Sequence, residues 1–213
     1  MNKGLFVTVE GPDGAGKTTQ LARLADYLQQ QGAQVLVTRE PGGTPAGEAI
    51  RAILLAPDMV LGEQAELLLY LAARAEHVRT VVRPALAAGQ IVLCDRFCDS
   101  TLVYQSMVRG LPLATVQAAN DFATGGLAPD LTFLVDADPL LLQARLGKRG
   151  GADRMEKEGL AFQQAVRQGF LTLAAHCPAR IVTLDASRSE EEVFAAMKAV
   201  WIAFEAGKRG GSE

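Results

Sequence analysis

Residues 9–19, near the start of the chain, constrain its fold more than any other segment. They include the pattern G-x-x-x-x-G-K-[ST], which runs from Gly11 to Thr18. The apolar run at residues 5–9 has the length of a buried strand, and apolar residues recur at helical spacing after the pattern. The sequence therefore predicts a strand, a glycine-rich loop and a helix, in the order that this pattern requires.

The residue types in this loop suit a polyphosphate with Mg2+. Glycines let successive backbone N–H groups approach an anion, and the first turn of a helix adds unpaired N–H groups and the positive end of its dipole. Lys17 can reach the outer phosphates as a cation, and the Thr18 hydroxyl can complete an Mg2+ shell made of phosphate oxygens and water. A chance glycine turn before a helix is the alternative interpretation.

Length and composition favour one packed domain. The chain has 213 residues, 49% of them apolar and 21% charged, which is typical of a globular α/β protein. A formal net charge of -3 gives no general attraction to nucleic acid or to a membrane surface. No apolar run approaches a membrane span, and the first strand begins too early for a signal segment. We therefore expect a single cytoplasmic domain over residues 1–213, without nucleic acid or membrane partners.

The cysteines and histidines show no metal-binding pattern. No second cysteine pair follows Cys94 and Cys98, as a zinc ribbon requires, and Cys177 lies far from both. Reduced structural thiols are expected. His77 and His176 have no partner pattern and are interpreted as structural or surface residues.

Strand-like runs alternate with longer helical runs along the rest of the chain. Further strands are predicted at residues 34–38, 91–94, 131–135 and 180–184, and helices at 46–55, 63–88, 100–107, 113–123, 139–146, 159–175 and 190–205. Pro84 is expected to kink or divide the long second helix of this set. Each parallel connection must cross over the sheet, so this alternation predicts a parallel sheet covered by helices on both faces.

Polar clusters follow four of the predicted strands at their carboxyl ends. These clusters occupy residues 11–17, 39–44, 95–97 and 136–138. Ligands bind at that edge of open α/β sheets. Separate segments of the chain are therefore expected to converge on one crevice.

Asp95 and Arg96 directly follow an apolar strand and are candidates for catalysis. Asp95 could hold Mg2+ through water or orient a nucleophile, and Arg96 could clamp a second phosphate with its planar set of donors. An internal ion pair that closes the strand end is the alternative interpretation.

Residues 148–157 form a basic, glycine-containing segment between two predicted helices. Its glycines would let it move, and Arg149 and Arg154 could close over a phosphoryl group in transfer. This chemistry is that of a lid. A solvated surface loop with clustered charges explains the segment equally well.

Three further residues suggest a second substrate with a sugar and a base. Asp13 places a negative charge inside the phosphate loop, which makes sense if it accepts hydrogen bonds from a sugar hydroxyl; its alternative role is that of a turn residue. Arg74 lies one helical turn after Tyr70, so this pair could stack on and hydrogen-bond a base. Without other context, a core tyrosine and a surface arginine remain the simpler interpretation.

Together these motifs resemble the bacterial thymidylate kinase family over nearly the whole chain. The matching segments are Glu10-Gly11-x-Asp13-Gly14-x-Gly16-Lys17-Thr18-Thr19, Thr38-Arg39-Glu40-Pro41-Gly42-Gly43-Thr44, Ala72-Ala73-Arg74, Asp95-Arg96-Phe97-x-x-Ser100-x-x-x-Tyr104-Gln105 and Asp153-Arg154-x-Glu156. Many nucleotide hydrolases share the phosphate loop, whereas its combination with the second and fourth segments is specific.

This resemblance implies both a fold and an activity. The fold would be a P-loop NTPase-type three-layer α/β fold, with a five-stranded parallel sheet flanked by helices and a short lid at about residues 147–158. The activity would be transfer of the γ-phosphoryl group of ATP, with Mg2+, to dTMP by a homodimer. The ATP-binding residues would be Gly11, Pro12, Asp13, Gly14, Ala15, Gly16, Lys17, Thr18 and Thr19, with Thr18 and Asp95 toward Mg2+.

The resemblance also implies roles for residues around dTMP. Asp13 would contact the sugar 3'-hydroxyl, Arg74 the thymine edge and Thr101 the pyrimidine, while Tyr104 would exclude a 2'-hydroxyl. The full implied dTMP site comprises Asp13, Arg39, Tyr70, Arg74, Arg96, Ser100, Thr101, Tyr104 and Gln105. Arg96 would hold the dTMP phosphate with Arg39 nearby, and the Glu40–Pro41 bond is expected to be cis.

The chain departs from the family pattern at three positions. Gly14 stands where one subgroup has a catalytic arginine, so that cation is expected from Arg149 or Arg154. Tyr70 stands where many members have a stacking phenylalanine, and Thr101 where some have asparagine. A phenol ring can still stack and a hydroxyl can still hydrogen-bond.

Two other functions remain open from the sequence. A kinase for another nucleoside monophosphate would keep the loop and the lid. A nucleotide switch or partitioning module would bind and slowly hydrolyse ATP without an acceptor.

Overall fold

The computed structural model describes residues 4–146, 154 and 158–210, and most of the predicted lid lies outside this range. Its five strands are β1 Leu5–Glu10, β2 Val35–Arg39, β3 Ile91–Asp95, β4 Leu131–Asp136 and β5 Ile181–Asp185. The α-helices of the described residues are α1 Lys17–Gln30, α2 Pro45–Leu55, α3 Glu63–His77, α4 Arg83–Ala87, α5 Cys98–Thr101, α6 Leu113–Thr124, α7 Pro139–Leu146, α8 Leu160–His176 and α9 Glu190–Gly210. The prediction of a parallel sheet flanked by helices is confirmed.

The sheet has the strand order β2-β3-β1-β4-β5, and every neighbouring pair is parallel. The connection after β1 crosses β3 to reach β2, whereas the connection after β3 crosses β1 to reach β4. The chain therefore leaves β1 and β3 in opposite directions, and a crevice opens between their carboxyl ends. The glycine loop and the Asp95-Arg96 pair lie on either side of it.

Alternate strand residues supply the two faces of the core. Val7 and Val9 of β1 pack in one cluster with Leu24 of α1 and Trp201 of α9. Phe6, on the opposite face of β1, packs with Val82 in a separate cluster. Because successive strand side chains point to opposite faces, a strand with apolar residues on both faces is buried on both sides. The central position of β1 follows from this pattern.

Two predicted helices contain π-helical turns. Val78–Val82 joins α3 to α4, and Leu102–Val108 continues α5. The first π turn ends at Val82, two residues before Pro84, which has no N–H group to donate to the preceding turn. The expected 63–88 helix is therefore divided at Val78–Val82, ahead of this proline.

None of the helices in the described ranges is long and apolar enough to cross a membrane.

Candidate active site

The glycine loop joins β1 to α1 through conformations that need glycine. Gly11 has a φ of 135°, and a Cβ there would lie 2.3 Å from the carbonyl oxygen of Val135. Gly14 and Gly16 also have positive φ. No side chain of the described residues caps α1, whose N-cap is Gly16. The N–H groups of the first helical turn are therefore available to an anion.

Lys17 lies under this loop and is 7% exposed. Its Nζ donates to the carbonyl oxygen of Pro12 at 2.9 Å and lies 3.8 Å from Oδ1 of Asp13. Burial lowers the pKa of Lys17, and the nearby guanidinium of Arg96 lowers it further. A bound polyphosphate would compensate this concentration of positive charge.

Thr18 and Asp95 bring two oxygen ligands together at the mouth of the loop. The Thr18 hydroxyl donates to Oδ2 of Asp95 at 2.8 Å. A hydroxyl and a carboxylate are ligands that Mg2+ prefers, so the pair fits that ion. The described residues contain no cluster of three or more His, Cys, Asp or Glu side chains that could hold a metal. Phosphate and water would supply the remaining ligands.

Arg96 occupies the centre of the crevice in a strained backbone conformation. Its φ is 69°, and it is the one non-glycine residue with positive φ in the described part of the chain. Nη2 donates to Oδ1 of Asp13 at 2.7 Å, and Nη1 donates to the Ser100 hydroxyl at 2.9 Å. The guanidinium also lies 5.4 Å from the centre of the Tyr104 ring. Although burial acts to raise the pKa of Asp13, Arg96 and Lys17 lower it to about 2.

A cavity opens beside Arg96, and we call it the inner cavity. It is lined by aromatic and polar side chains, among them Tyr70, Arg74, Ser100, Thr101, Tyr104 and Gln105. Segments from the α2–α3 region, the segment after β2 and the π turn after α5 thus meet around one space. Burial raises the pKa of Tyr70 to about 12, so its ring is neutral. The tyrosine expected to stack on a base is therefore part of the wall and not of the core.

Arg74 is held rigidly in the wall of the inner cavity. Nε donates to Oε2 of Glu40 at 2.7 Å, and Nη1 donates to Thr101 at 2.9 Å and to Oδ1 of Asn120 at 2.6 Å. Its guanidinium also lies 5.3 Å from the centre of the Phe97 ring. Burial acts to lower the pKa of Arg74, but Glu40 raises it above the ordinary value. Nη2 has no protein partner among the described residues.

Gln105 is oriented from behind by a buried carboxylate. Its Nε2 donates to Oε1 of Glu66 at 2.8 Å, and both residues are 1% exposed. One of its two amide N–H groups is thereby occupied, and the side chain is fixed so that its amide oxygen and its second N–H remain for a ligand in the inner cavity.

A second cavity, which we call the loop cavity, covers the glycine loop. Gly14, Gly16, Lys17, Thr18, Thr19 and Asp95 line it. The two cavities share Asp13, Glu40, Arg51 and Arg96. All four are charged side chains at the junction of the glycine loop and the inner cavity, so ligands in the two cavities would meet there.

Arg39 lines the loop cavity and not the inner cavity. Its Nη2 donates to both carboxylate oxygens of Glu48 at 2.9 Å on the protein surface. Arg51, in contrast, borders both cavities, and its Nη1 donates to the carbonyl oxygen of Pro41 at 2.9 Å. The Glu40–Pro41 peptide bond is cis, as expected.

Gly11, Pro12 and Ala15 support the loop without lining either cavity.

Of the two predicted lid arginines, Arg149 lies outside the described residues. Arg154 is described, and both its partners among the described residues lie outside the linings of the two cavities: Nε donates to the carbonyl oxygen of Leu54 at 2.8 Å, and Nη2 donates to Glu66. It lines neither cavity in this conformation.

The sequence analysis assigned no role to five residues at or behind the site: Glu10, Glu40, Arg51, Glu66 and Asn120. Glu10 and Glu40 had a signal, because each lies at the carboxyl end of a predicted strand. Asn120 and Glu66 had none, since each lies within a helix far from any motif. His77, interpreted as structural or surface, is fully buried and bonds Glu40 at 2.9 Å and Thr38 at 2.7 Å.

The fold and the glycine loop define a nucleotide-binding protein of the P-loop class, with room beside the loop for a second ligand. A family model for thymidylate kinase matches residues 9–197. The thymidylate kinase of Deinococcus radiodurans is 52% identical over 193 residues, which cover 91% of this chain and 94% of that protein. A thymidylate kinase of Pseudomonas fluorescens is 52% identical over 191 residues, with 89% and 91% covered.

A solved structure agrees with these sequence relatives. The crystal structure of thymidylate kinase from Ehrlichia chaffeensis superposes with a TM-score of 0.76 at 34% identity and covers 93% of this chain and 98% of that one. The chain belongs to the thymidylate kinase family.

Proposed function

We propose that this protein transfers the γ-phosphoryl group of ATP to dTMP, giving ADP and dTDP. One observation carries the proposal: the loop cavity and the inner cavity adjoin, and Asp13, Arg51 and Arg96 border both. Phosphoryl transfer needs two phosphates side by side with cations between them. The family membership supports the same activity.

The glycine loop suits the donor. Backbone N–H groups of the loop, the start of α1 and Lys17 present positive charge to the β- and γ-phosphates. Thr18 and Asp95 would hold Mg2+, which would neutralise charge on the phosphates. The protein supplies position and charge, so no covalent intermediate with the enzyme is required.

The inner cavity suits the acceptor nucleotide. The free Nη2 of Arg74 can donate to a keto oxygen of a pyrimidine, and the Tyr70 ring can stack on its face. Arg96 would hold the acceptor phosphate and Asp13 the sugar hydroxyl. Tyr104 would exclude a 2'-hydroxyl, as the family resemblance implies.

Arg149 and Arg154 are proposed to bring positive charge to the phosphoryl group in transfer. Arg154 would have to leave Glu66 and Leu54 to do so. Replacing each with Ala separately identifies the catalytic one, because its loss should lower kcat by about 100-fold. Arg188→Ala, at an exposed arginine paired with Asp185, is the matched control.

We also propose that the protein is a homodimer. Phe122 of α6 and Leu68 of α3 are 91% and 64% exposed, and the two helices pack against each other. Exposed large apolar side chains on adjacent helices are typical of subunit interfaces. Sedimentation analysis of the wild type and of Phe122→Glu tests this, with a monomeric wild type as the contrary result.

The test of the activity is ADP formation with and without dTMP. A kinase forms ADP only when the acceptor is present, whereas a nucleotide switch forms it without one. Comparing dTMP, dUMP, UMP, CMP and AMP then separates this function from that of another monophosphate kinase. A preference for a ribonucleotide would refute the role of Tyr104, and acceptor-independent hydrolysis would refute the kinase.

A further inference from the structure

Glu10 is a buried carboxylate that none of the roles above uses. It is the last residue of β1, immediately before the glycine loop, and it is 1% exposed. A buried carboxylate is unfavourable unless its oxygens accept hydrogen bonds, so its partners define what it does.

Both oxygens of Glu10 accept hydrogen bonds from the segment that follows β3. Oε1 accepts from the backbone N–H of Phe97 at 2.7 Å and, at 3.3 Å, from that of Ser100. Oε2 accepts from the Ser100 hydroxyl at 2.6 Å. Glu10 therefore holds the backbone directly after Arg96, the residue with positive φ.

Ser100 extends this control to the side chain of Arg96. A hydroxyl has one proton, and Glu10 accepts the proton of Ser100, so the Ser100 oxygen offers only lone pairs to another partner. Arg96 can only donate, and its Nη1 donates to that oxygen at 2.9 Å. When Glu10 is ionised, each bond has one possible direction, and the chain of bonds fixes the plane of the guanidinium.

We propose that Glu10 is the positioning residue for Arg96, acting through Ser100 and through the backbone of Phe97. The inference rests on the proposed function, in which Arg96 holds the acceptor phosphate. Asp13 holds Nη2 of the same guanidinium at 2.7 Å, so Arg96 is fixed from two sides at the junction of the cavities. Through Arg96, Glu10 therefore affects binding of the acceptor nucleotide and not binding of ATP.

The test compares Glu10→Gln with wild type and with the control Glu76→Gln, a similar change at a surface ion pair with Arg79. The amide nitrogen of Gln would donate to Ser100, whose own proton would then lose its acceptor. We expect KM for the acceptor to rise about tenfold, the effect of one charge-assisted hydrogen bond, with KM for ATP within about twofold. Glu76→Gln should change neither.

Ser100→Ala provides a second route to the same result. It removes the link and leaves the Glu10 carboxylate in place, so it keeps the protein testable if Glu10→Gln folds poorly. It should raise KM for the acceptor by a similar factor. Because both residues act in one chain, the double variant should be no worse than the more impaired single variant.

The pH profile supplies a readout that a purely structural role would not change. Burial, with the Asp99 carboxylate adding to it, raises the pKa of Glu10 to about 7. The other charged groups that act on its surroundings are Arg96, Lys17 and Arg74. Protonated Glu10 no longer presents two acceptors, so kcat/KM for the acceptor should fall below about pH 7 in wild type more steeply than in Glu10→Gln. Ionisation of the acceptor phosphate, near pH 6, is common to both proteins.

Equal increases in the two KM values, additive effects in the double variant, or unchanged pH profiles would refute the positioning role. The acceptor in these assays is the monophosphate that wild type uses best. If that monophosphate is not dTMP, the proposed substrate is wrong, but the same measurements still test whether Glu10 positions Arg96. If no acceptor supports ADP formation, Arg96 has no acceptor phosphate to hold and both proposals fail.

Discussion

Arg74 and Glu40 form a buried ion pair in which Nε donates to Oε2 at 2.7 Å, with the two residues 2% and 4% exposed. The second oxygen of Glu40 bonds His77 at 2.9 Å. One carboxylate thus orients an arginine of the inner cavity and a histidine of the core. Because both charges are buried, neither can be lost without leaving the other uncompensated.

Glu40→Ala should therefore lower the free energy of unfolding by about 3–5 kcal/mol. Chemical denaturation measures this change. Glu76→Ala, at the exposed ion pair with Arg79, should cost less than about 1 kcal/mol and serves as the control. Similar losses in the two variants would show that the buried Arg74–Glu40 pair contributes no more to stability than an exposed ion pair.

Asn120 should affect the acceptor through Arg74. Asn120→Ala removes one acceptor of Nη1, so we expect KM for dTMP to rise about threefold to tenfold with KM for ATP unchanged. Asn120→Asp should restore binding, because it keeps an acceptor, and Nδ2 of Asn120 has no partner among the described residues to lose. Steady-state kinetics with each substrate varied in turn provide the measurement. An aspartate variant as impaired as the alanine variant would contradict this role.

Two glycines of the loop should differ in their tolerance of alanine. At Gly11 a Cβ would lie 2.3 Å from the backbone of Val135, whereas at Gly16 it would meet nothing within 4 Å. Gly11→Ala should therefore cost more than about 3 kcal/mol of stability, and Gly16→Ala only the roughly 1–2 kcal/mol of an unfavourable φ. Thermal and chemical denaturation of the two variants tests this order. Equal losses of stability would show that the positive φ, and not the contact with Val135, determines the effect of alanine at Gly11.

Lys17→Ala should separate activity from folding. Loss of the cation at the donor phosphates should reduce kcat by about 100-fold to 1,000-fold. The fold should persist, since Lys17 bonds only the Pro12 carbonyl and lies 3.8 Å from Asp13. Lys198→Ala, at a lysine over the Tyr27 ring of the α1–α9 face, is the control and should keep full turnover. Undiminished turnover in Lys17→Ala would remove the proposed donor site.

Stability should depend on pH through Glu10. Folding raises its pKa from 4.5 to about 7, so between these values the folded protein holds a proton that the unfolded chain has lost. The free energy of unfolding contributed by Glu10 therefore falls as pH rises through this window and is constant above it. Relative to that of Glu10→Gln, the free energy of unfolding of the wild type should fall by on the order of 2 kcal/mol between about pH 5 and pH 8. Urea unfolding of both proteins across this range tests the sign, and a parallel pH dependence would contradict it.

Sequence patterns were sufficient to predict the elements whose structure depends on residues close together in the chain. The strand at Leu5–Glu10 has apolar residues on both faces because it is buried on both sides. The glycine loop connects it directly to the helix that begins at Lys17. Periodicity could not reveal the π turns at Val78–Val82 and Leu102–Val108, since one inserted residue hardly changes an apolar pattern. Pro84, two residues after the first of these turns ends, was the signal that the predicted helix is not continuous.

The sequence by itself determined the phosphate loop, the parallel sheet and the edge at which ligands bind, because these depend on neighbours in the chain. It named Asp13, Tyr70, Arg74 and Arg96 but could not say what holds them. Only the tertiary structure decided that Glu10, Glu40 and Asn120 lie behind these residues. It also decided that Arg51 borders both cavities and that Arg154 bonds Glu66. Those partners lie tens of residues away along the chain, and hydrogen bonds between buried side chains form only after the strands and helices have packed.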